Sequence, residues 1–258
     1  QLQHSGQRSS HELTGSEPVA PVDIAETGAR ALTTDEVRRL RDDFIAAAVR
    51  AEKVGFDGVE LHSAHGYLLC HFLEAGNLRD DEYGGSLENR ARLLNEIIDG
   101  VRAATRPDFQ LGVRLSPERF GLVLADIRTV AAELMTSGKI DYLDMSLWSV
   151  FKEPVEGDAY GKRLIDCFTG LPRGTTPLGV AGKIMDAATA QGCLDAGADF
   201  VLIGRAAIVH HDFPRQAAAD PAFASLPLPV SRDHLAAESL GPKFIHYMAT
   251  EWKNFVSR

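Results

Sequence analysis

The stretch Asp57-Gly58-Val59-Glu60-Leu61-His62-Ser63-Ala64-His65-Gly66-Tyr67 decides how this chain folds. Val59 and Leu61 are apolar and β-favouring, as a buried parallel strand requires. Gly66 breaks the run and lets the backbone turn. His62, His65 and Tyr67 therefore sit where a strand gives way to a loop. In a barrel of alternating strands and helices, that end of a strand carries the chemistry.

Working outward, a helix is predicted to start at Thr33. Thr33-Thr34-Asp35-Glu36 fits a capping box, and Val37, Leu40, Phe44, Ala48 and Val49 follow at helical spacing until Gly55. Ser86 starts a second helix with Leu87, Leu94, Ile98 and Val101 on one face, and Pro107 stops it. Glu88 and Arg92 pair one turn apart, a gain of about 0.3–0.5 kcal/mol. Strands follow over 110–115, 142–147, 177–181 and 200–204, the last of them very apolar. Helices fall over 125–135, 162–168 and 185–195, then near 214–219 and 235–255. Upstream, Gln1-Leu2-Gln3-His4 reads as the tail of a strand, and residues 9–32, rich in Ser, Pro, Gly and Thr, as a long loop or small excursion.

Short apolar strands alternating with amphipathic helices imply βα units and a parallel sheet. No G-x-G-x-x-G follows a strand, which disfavours a doubly wound dinucleotide fold. The count is five full strands and one stump, whereas a closed barrel needs eight. The length of 258 residues suits one large domain, here taken as 1–258. A formal charge of −9 argues against nucleic acid and against an anionic membrane surface. Cys70, Cys167 and Cys193 are scattered and odd in number, so no disulfide framework is expected and a reducing cytoplasm is.

The polar strand ends admit more than one chemistry. His62 and His65 can be metal ligands, which would want a third protein ligand, or satisfied histidines at a strand end. They can also be paired N–H donors that stabilise charge growing on a carbonyl oxygen. Tyr67, a phenol, suits a proton donor to an enolate-like centre, or plain packing. Arg114 lies inside an apolar strand and needs a partner. It is either a buried ion pair or a cation facing electron-rich ligand atoms. Ala181-Gly182-Lys183 and Gly204-Arg205 end the last two strands, where barrels often hold a phosphate. Asp81-Glu82-Tyr83-Gly84-Gly85-Ser86 reads as helix initiation rather than a ligand site. Trp148 and Phe151 either line a pocket mouth or pack under the long loop.

In order along the chain, these segments resemble the Old Yellow Enzyme family of flavin-dependent ene-reductases. Gln1-Leu2-Gln3-His4-Ser5-Gly6 resembles the family's Q-L-x-H-x-G, and His62-Ser63-Ala64-His65-Gly66-Tyr67 its H-x-x-H-G-Y. The segment 77–90, Gly112-Val113-Arg114-Leu115-Ser116-Pro117 and Phe200-Val201-Leu202-Ile203-Gly204-Arg205 also fit. The family continues its first motif with Arg, whereas this chain has Gln7 and then Arg8. The segment after Phe72-Leu73 lacks the usual Ser-Pro.

The resemblance implies a (β/α)8 TIM-barrel type, incomplete here and running from the end of the third strand through the eighth. The expectation is an N-terminally truncated piece of a longer chain. The resemblance also implies FMN at the barrel mouth, NAD(P)H as reductant, a small-molecule activated alkene as substrate, and possible homo-oligomers. Under it, His62 and His65 hold the substrate carbonyl oxygen and Tyr67 protonates the α-carbon. Gln1 and Arg114 contact the flavin ring, while Gly182, Gly204 and Arg205 hold its phosphate. No metal is expected. Two alternatives stay open, a flavinless remnant acting as a binding or assembly module and a metal-dependent barrel hydrolase.

Overall fold

The computed structural model describes residues 1–155 and 163–257. The chain opens with a 3-10 turn, Gly6–Arg8, then helix α1 (His11–Thr14) and two parallel two-residue strands, β1 (Val19–Ala20) and β2 (Arg30–Ala31). Helix α2 (Thr34–Lys53) begins as the sequence predicts. The Thr33 hydroxyl accepts the Glu36 amide, and the Glu36 carboxylate accepts the Thr33 amide, closing the capping box.

The body of the fold is five βα units. Its strands are β3 (Gly58–Ser63), β4 (Gln110–Leu115), β5 (Tyr142–Ser146), β6 (Leu178–Ala181) and β7 (Phe200–Leu202). All are parallel and lie side by side in chain order. Helices α3 (Leu68–Leu73), α4 (Leu87–Ala104), α5 (Leu124–Thr136), α6 (Asp166–Thr169) and α7 (Ala187–Asp195) fall between them. After β7 come α8 (Arg205–Val209), α9 (Phe213–Ala219), α10 (Arg232–Ala237) and α11 (Pro242–Glu251). Leu2 adds a stub beside β3: its N–H donates to Glu60 O at 2.8 Å, and its carbonyl accepts the His62 N–H at 2.9 Å. The expected arrangement of five strands and a stump is thus present.

Strand register explains which residues meet. Side chains alternate faces along a strand. Leu61, Leu111, Val113, Leu115, Leu143, Met145 and Val180 turn to one face and are fully buried in the core with α4 and α5. The other face carries the opposite set. His62 pairs with Arg114, Arg114 with Asp144 and Asp144 with Gly179, while Ser146 pairs with Ala181. Gly112 and Gly179 leave room on this face for the rings of Tyr142 and Phe200, into which any Cβ would run.

Three expectations need correction. The helix predicted over 235–255 is two helices, α10 and α11. Ser239 adopts φ +68°, and Gly241-Pro242 follows, where proline supplies no amide to continue a helix. The helix predicted over 162–168 starts, among the described residues, only at Asp166, and Lys162 lies outside them. The very apolar segment 200–204 yields a three-residue strand that is only half-buried. It is the last strand of the sheet, so one of its edges has no neighbour in the sheet. Among the described residues, no helix is long and apolar enough to cross a membrane.

Candidate active site at the strand ends

Backbone strain marks the site before any side chain does. Among the described residues, seven non-glycine residues have positive φ, and five of them follow the C-terminal ends of successive strands: His65, Arg119, Phe120, Trp148 and Lys183. Such conformations cost about 1–3 kcal/mol each and persist where surrounding structure enforces them, commonly at functional sites. For His65 the enforcing contact is visible. Its amide donates to the Ser116 hydroxyl at 2.9 Å, tying the loop after β3 to the loop after β4.

This turn brings together the three residues the sequence singles out. The His62 and His65 rings lie 5.0 Å apart, and the His62 and Tyr67 rings 5.2 Å apart. His62 Nε2 and His65 Nδ1 converge to 3.2 Å. The expected pair of N–H donors is therefore only one of two tautomeric arrangements. With a single proton between them, the imidazoles bond to each other. With a proton on each of the converging nitrogens, both N–H groups face one shared acceptor. His62 Nδ1 is buried without a partner among the described residues, so nothing there fixes the tautomer. Burial, the neighbouring His65 and Arg114 lower the His62 pKa to about 3. Burial, Arg114 and Arg8 lower that of His65 to about 4. Both rings are neutral near pH 7, as donors to a carbonyl should be.

A cavity of about 760 Å³ opens beside His65, within the roughly 300–1,000 Å³ of small-molecule clefts. Arg114 and Ser146 line it. The Arg114 Nε lies 2.9 Å from Asp144 Oδ2, but its N–H is aimed at Ser146 Oγ, 2.6 Å away. Arg114 is thus an ion-paired residue within the sheet that also lines the cavity wall. Asp144 is fully buried, and among the described residues neither of its oxygens has an aligned hydrogen bond. Burial outweighs the attraction of Arg114 and raises its pKa to about 7.

The far end of the cavity holds Gly182, Lys183, Gly204 and Arg205 with Lys253, Asn254 and Phe255 from the chain's end. Gly182 has φ +154°, and a Cβ there would lie 2.9 Å from Ser149 N, so only glycine fits this crossing. A Cβ on Gly204 would meet nothing within 4 Å, which leaves its backbone open. Lys183, Arg205 and Lys253 have no ion pair among the described residues. Glycine backbone beside cations is a donor set that suits a phosphate.

The remaining predicted residues lie elsewhere. Gln1 does not line this cavity. Its amide is held by the Glu60 carboxylate, towards the opposite end of the sheet. Asp81 caps its own turn, binding Arg79, the Thr34 hydroxyl and the Tyr83 amide, in keeping with helix initiation. Trp148 is 52% exposed and lines the cavity. The one grouping with metal-ligand spacing among the described residues is His210, His234 and Glu238. Its donors are already engaged, His210 Nε2 by the Leu226 amide, His234 Nε2 by Val209 O and Glu238 by His211. Sequence reading missed Asp144, Ser146 and the 252–255 segment. The alternation Leu143-Asp144-Met145-Ser146 was the available signal, since period two puts both polar residues on the Arg114 face.

Comparison with known proteins agrees with this geometry. The NADH:flavin oxidoreductase / NADH oxidase family pattern matches residues 1–222. NADPH dehydrogenase of Clostridium acetobutylicum is 45% identical over 125 residues, covering 46% of this chain and 36% of that protein. NADH oxidase of Thermoanaerobacter brockii is 31% identical over 230 residues, covering 84% and 35%. The chain thus spans about a third of the length of these curated relatives. Among solved structures, the Old Yellow Enzyme homologue of Zymomonas mobilis superposes with a TM-score of 0.72 at 32% identity, covering 93% of this chain and 70% of that one. Morphinone reductase in complex with tetrahydroNAD gives 0.69 at 31% identity, covering 90% and 67%. A match over residues 1–222, with the strand-end residues of that stretch gathered as described, establishes that the chain belongs to the NADH:flavin oxidoreductase / NADH oxidase family.

Proposed function

We propose that this chain binds FMN in the cavity beside His65 and takes part in NAD(P)H-driven reduction of the C=C bond of activated alkenes such as enones. The convergence of His62 Nε2 and His65 Nδ1 at 3.2 Å beside Tyr67 carries the reading. FMN, when bound, supplies the two-electron transfer between nicotinamide and alkene. Lys183 and Arg205, beside Gly182 and the open backbone at Gly204, would hold its phosphate. Arg114, at the cavity wall, would offer a positive charge to the bound ring system.

The chain's own residues handle the substrate. A carbonyl oxygen entering between the two imidazoles takes an N–H from each, which polarises the conjugated double bond. Neutral imidazoles do this without giving up a proton. Tyr67, whose ring centroid lies 5.2 Å from that of His62, delivers a proton to the α-carbon. The buried, free thiols of Cys70, Cys167 and Cys193 support a cytoplasmic setting.

The test is an absorbance scan of the purified chain after incubation with FMN, followed by anaerobic NAD(P)H and then 2-cyclohexenone. A bound flavin band that bleaches and returns supports the reading. A chain that takes up no FMN defeats it.

A further inference from the structure

Two arginines at the rim of the site have no carboxylate partner among the described residues. Arg8 leaves the 3-10 turn Gly6–Arg8, and Gly6 (φ +60°) lets that turn press on Leu68, where a Cβ would come within 3.1 Å of the leucine Cβ. The turn sets the Arg8 guanidinium 5.3 Å from the Tyr67 ring centroid and 5.6 Å from that of Phe120. Gly66 makes the space. A Cβ there would lie 2.8 Å from Phe120 Cδ1 and 3.3 Å from Arg8 Nη2. Arg119 belongs to the strained loop after β4, in which Arg119, Phe120 and Gly121 all have positive φ, and its guanidinium stacks 4.3 Å from the Trp148 ring centroid.

Neither arginine has an ion pair among the described residues, although the chain carries nine more negative than positive charges. The carboxylate next to Arg119 in sequence, Glu118, is held by Lys152 and by the Val155 amide. Stacking on an aromatic face orients a guanidinium but leaves the N–H groups along its edge free, five donors in a fixed fork. Both exposed arginines thus lie against rings of the site, with no side-chain hydrogen bond among the described residues. The cations suited to a cofactor phosphate stand apart, at the Gly182–Arg205 end of the cavity.

We infer that Arg8, assisted by Arg119, forms a carboxylate-recognition subsite, so that the preferred substrates are activated alkenes carrying a carboxylate in addition to the carbonyl held by His62 and His65. The inference rests on the ene-reductase reading above and narrows its substrate class. Placing arginine one residue after the family's usual position gives the cation a seat on the Tyr67 ring.

The experiment compares trans-4-oxo-2-pentenoate with its methyl ester, a ketone-activated pair differing by one charge, on the FMN-loaded chain. The expected result is a kcat/KM ratio of acid to ester that falls about tenfold or more in Arg8→Ala, as loss of a charge-assisted pair implies. Arg8→Lys, which keeps the charge and loses the fork, should fall between. A ratio unchanged by Arg8→Ala overturns the inference. So does an effect confined to the KM for NAD(P)H, which would assign the arginines to nucleotide phosphates. If neither alkene is reduced, the ene-reductase reading fails separately. The subsite is then read from saturable change of Trp148 fluorescence on adding the acid, using Trp252→Phe to leave one tryptophan. Absence of that change, or its persistence in Arg8→Ala with Arg119→Ala, also overturns the inference.

Discussion

Arg114 and Asp144 stand 2.9 Å apart on neighbouring strands, yet the arginine points its Nε–H at Ser146, and the buried carboxylate has no aligned donor among the described residues. A carboxylate so placed is held near neutrality, with its pKa raised to about 7. Between the ordinary Asp value and about 7, the folded state keeps a proton that the unfolded state has released. Stability therefore declines as pH rises through that window. Asp144→Asn should remove the decline, so that wild type loses ground to the variant by up to a few kcal/mol between pH 5 and pH 8, at about 1.4 kcal/mol per pKa unit. Urea titrations of both proteins at pH 5, 6.5 and 8 check this, and parallel curves would sink it.

The histidines act with the opposite sign. His62, His65 and His71 are all neutral in the fold, with pKa values lowered to about 3, 4 and 4. The unfolded chain gains protons at these sites as pH falls below about 6.5, so stability present above that value is lost on acidification. His62→Asn should flatten the acid limb of a thermal-denaturation profile between pH 6.5 and 4. An unchanged limb counts against the buried neutral ring.

For catalysis, Tyr67→Phe is expected to slow alkene reduction by about 10²–10⁴-fold, the usual worth of a positioned acid, and to spare flavin reduction by NAD(P)H. Stopped-flow traces separate the half-reactions. Equal losses in both would remove the proton-donor role.

Gly182→Ala places a methyl group 2.9 Å from the Ser149 amide at a φ of +154°. The expected cost is about 1–3 kcal/mol of stability, with weaker FMN uptake. Arg205→Ala should instead leave the melting temperature of the flavin-free chain within about 1 °C and weaken FMN binding about tenfold, as loss of one charged phosphate contact implies. Fluorescence titration with FMN distinguishes the two.

Much of this was legible from residue pattern. The capping box at Thr33 and the bounds of β4 follow from local rules that tertiary structure does not overturn. The site histidines and Tyr67 were legible because a glycine and three polar residues end an apolar strand. What escaped depends on register and distance. Nothing local says that Asp144 lies beside Arg114, since that follows from the pairing of β4 with β5. The mutual bond of His62 and His65 depends on the left-handed turn at His65, and the 252–255 segment reaches the cavity only because the chain breaks at Gly241-Pro242.

That break has a thermodynamic reading. It returns Lys253, Asn254 and Phe255 to the cavity wall, so this segment and any bound ligand share one surface. A ligand that favours the seated segment holds it more firmly, and by reciprocity a segment held in place tightens the ligand by the same factor. Affinity and the order of the segment are then one coupling free energy measured from two ends.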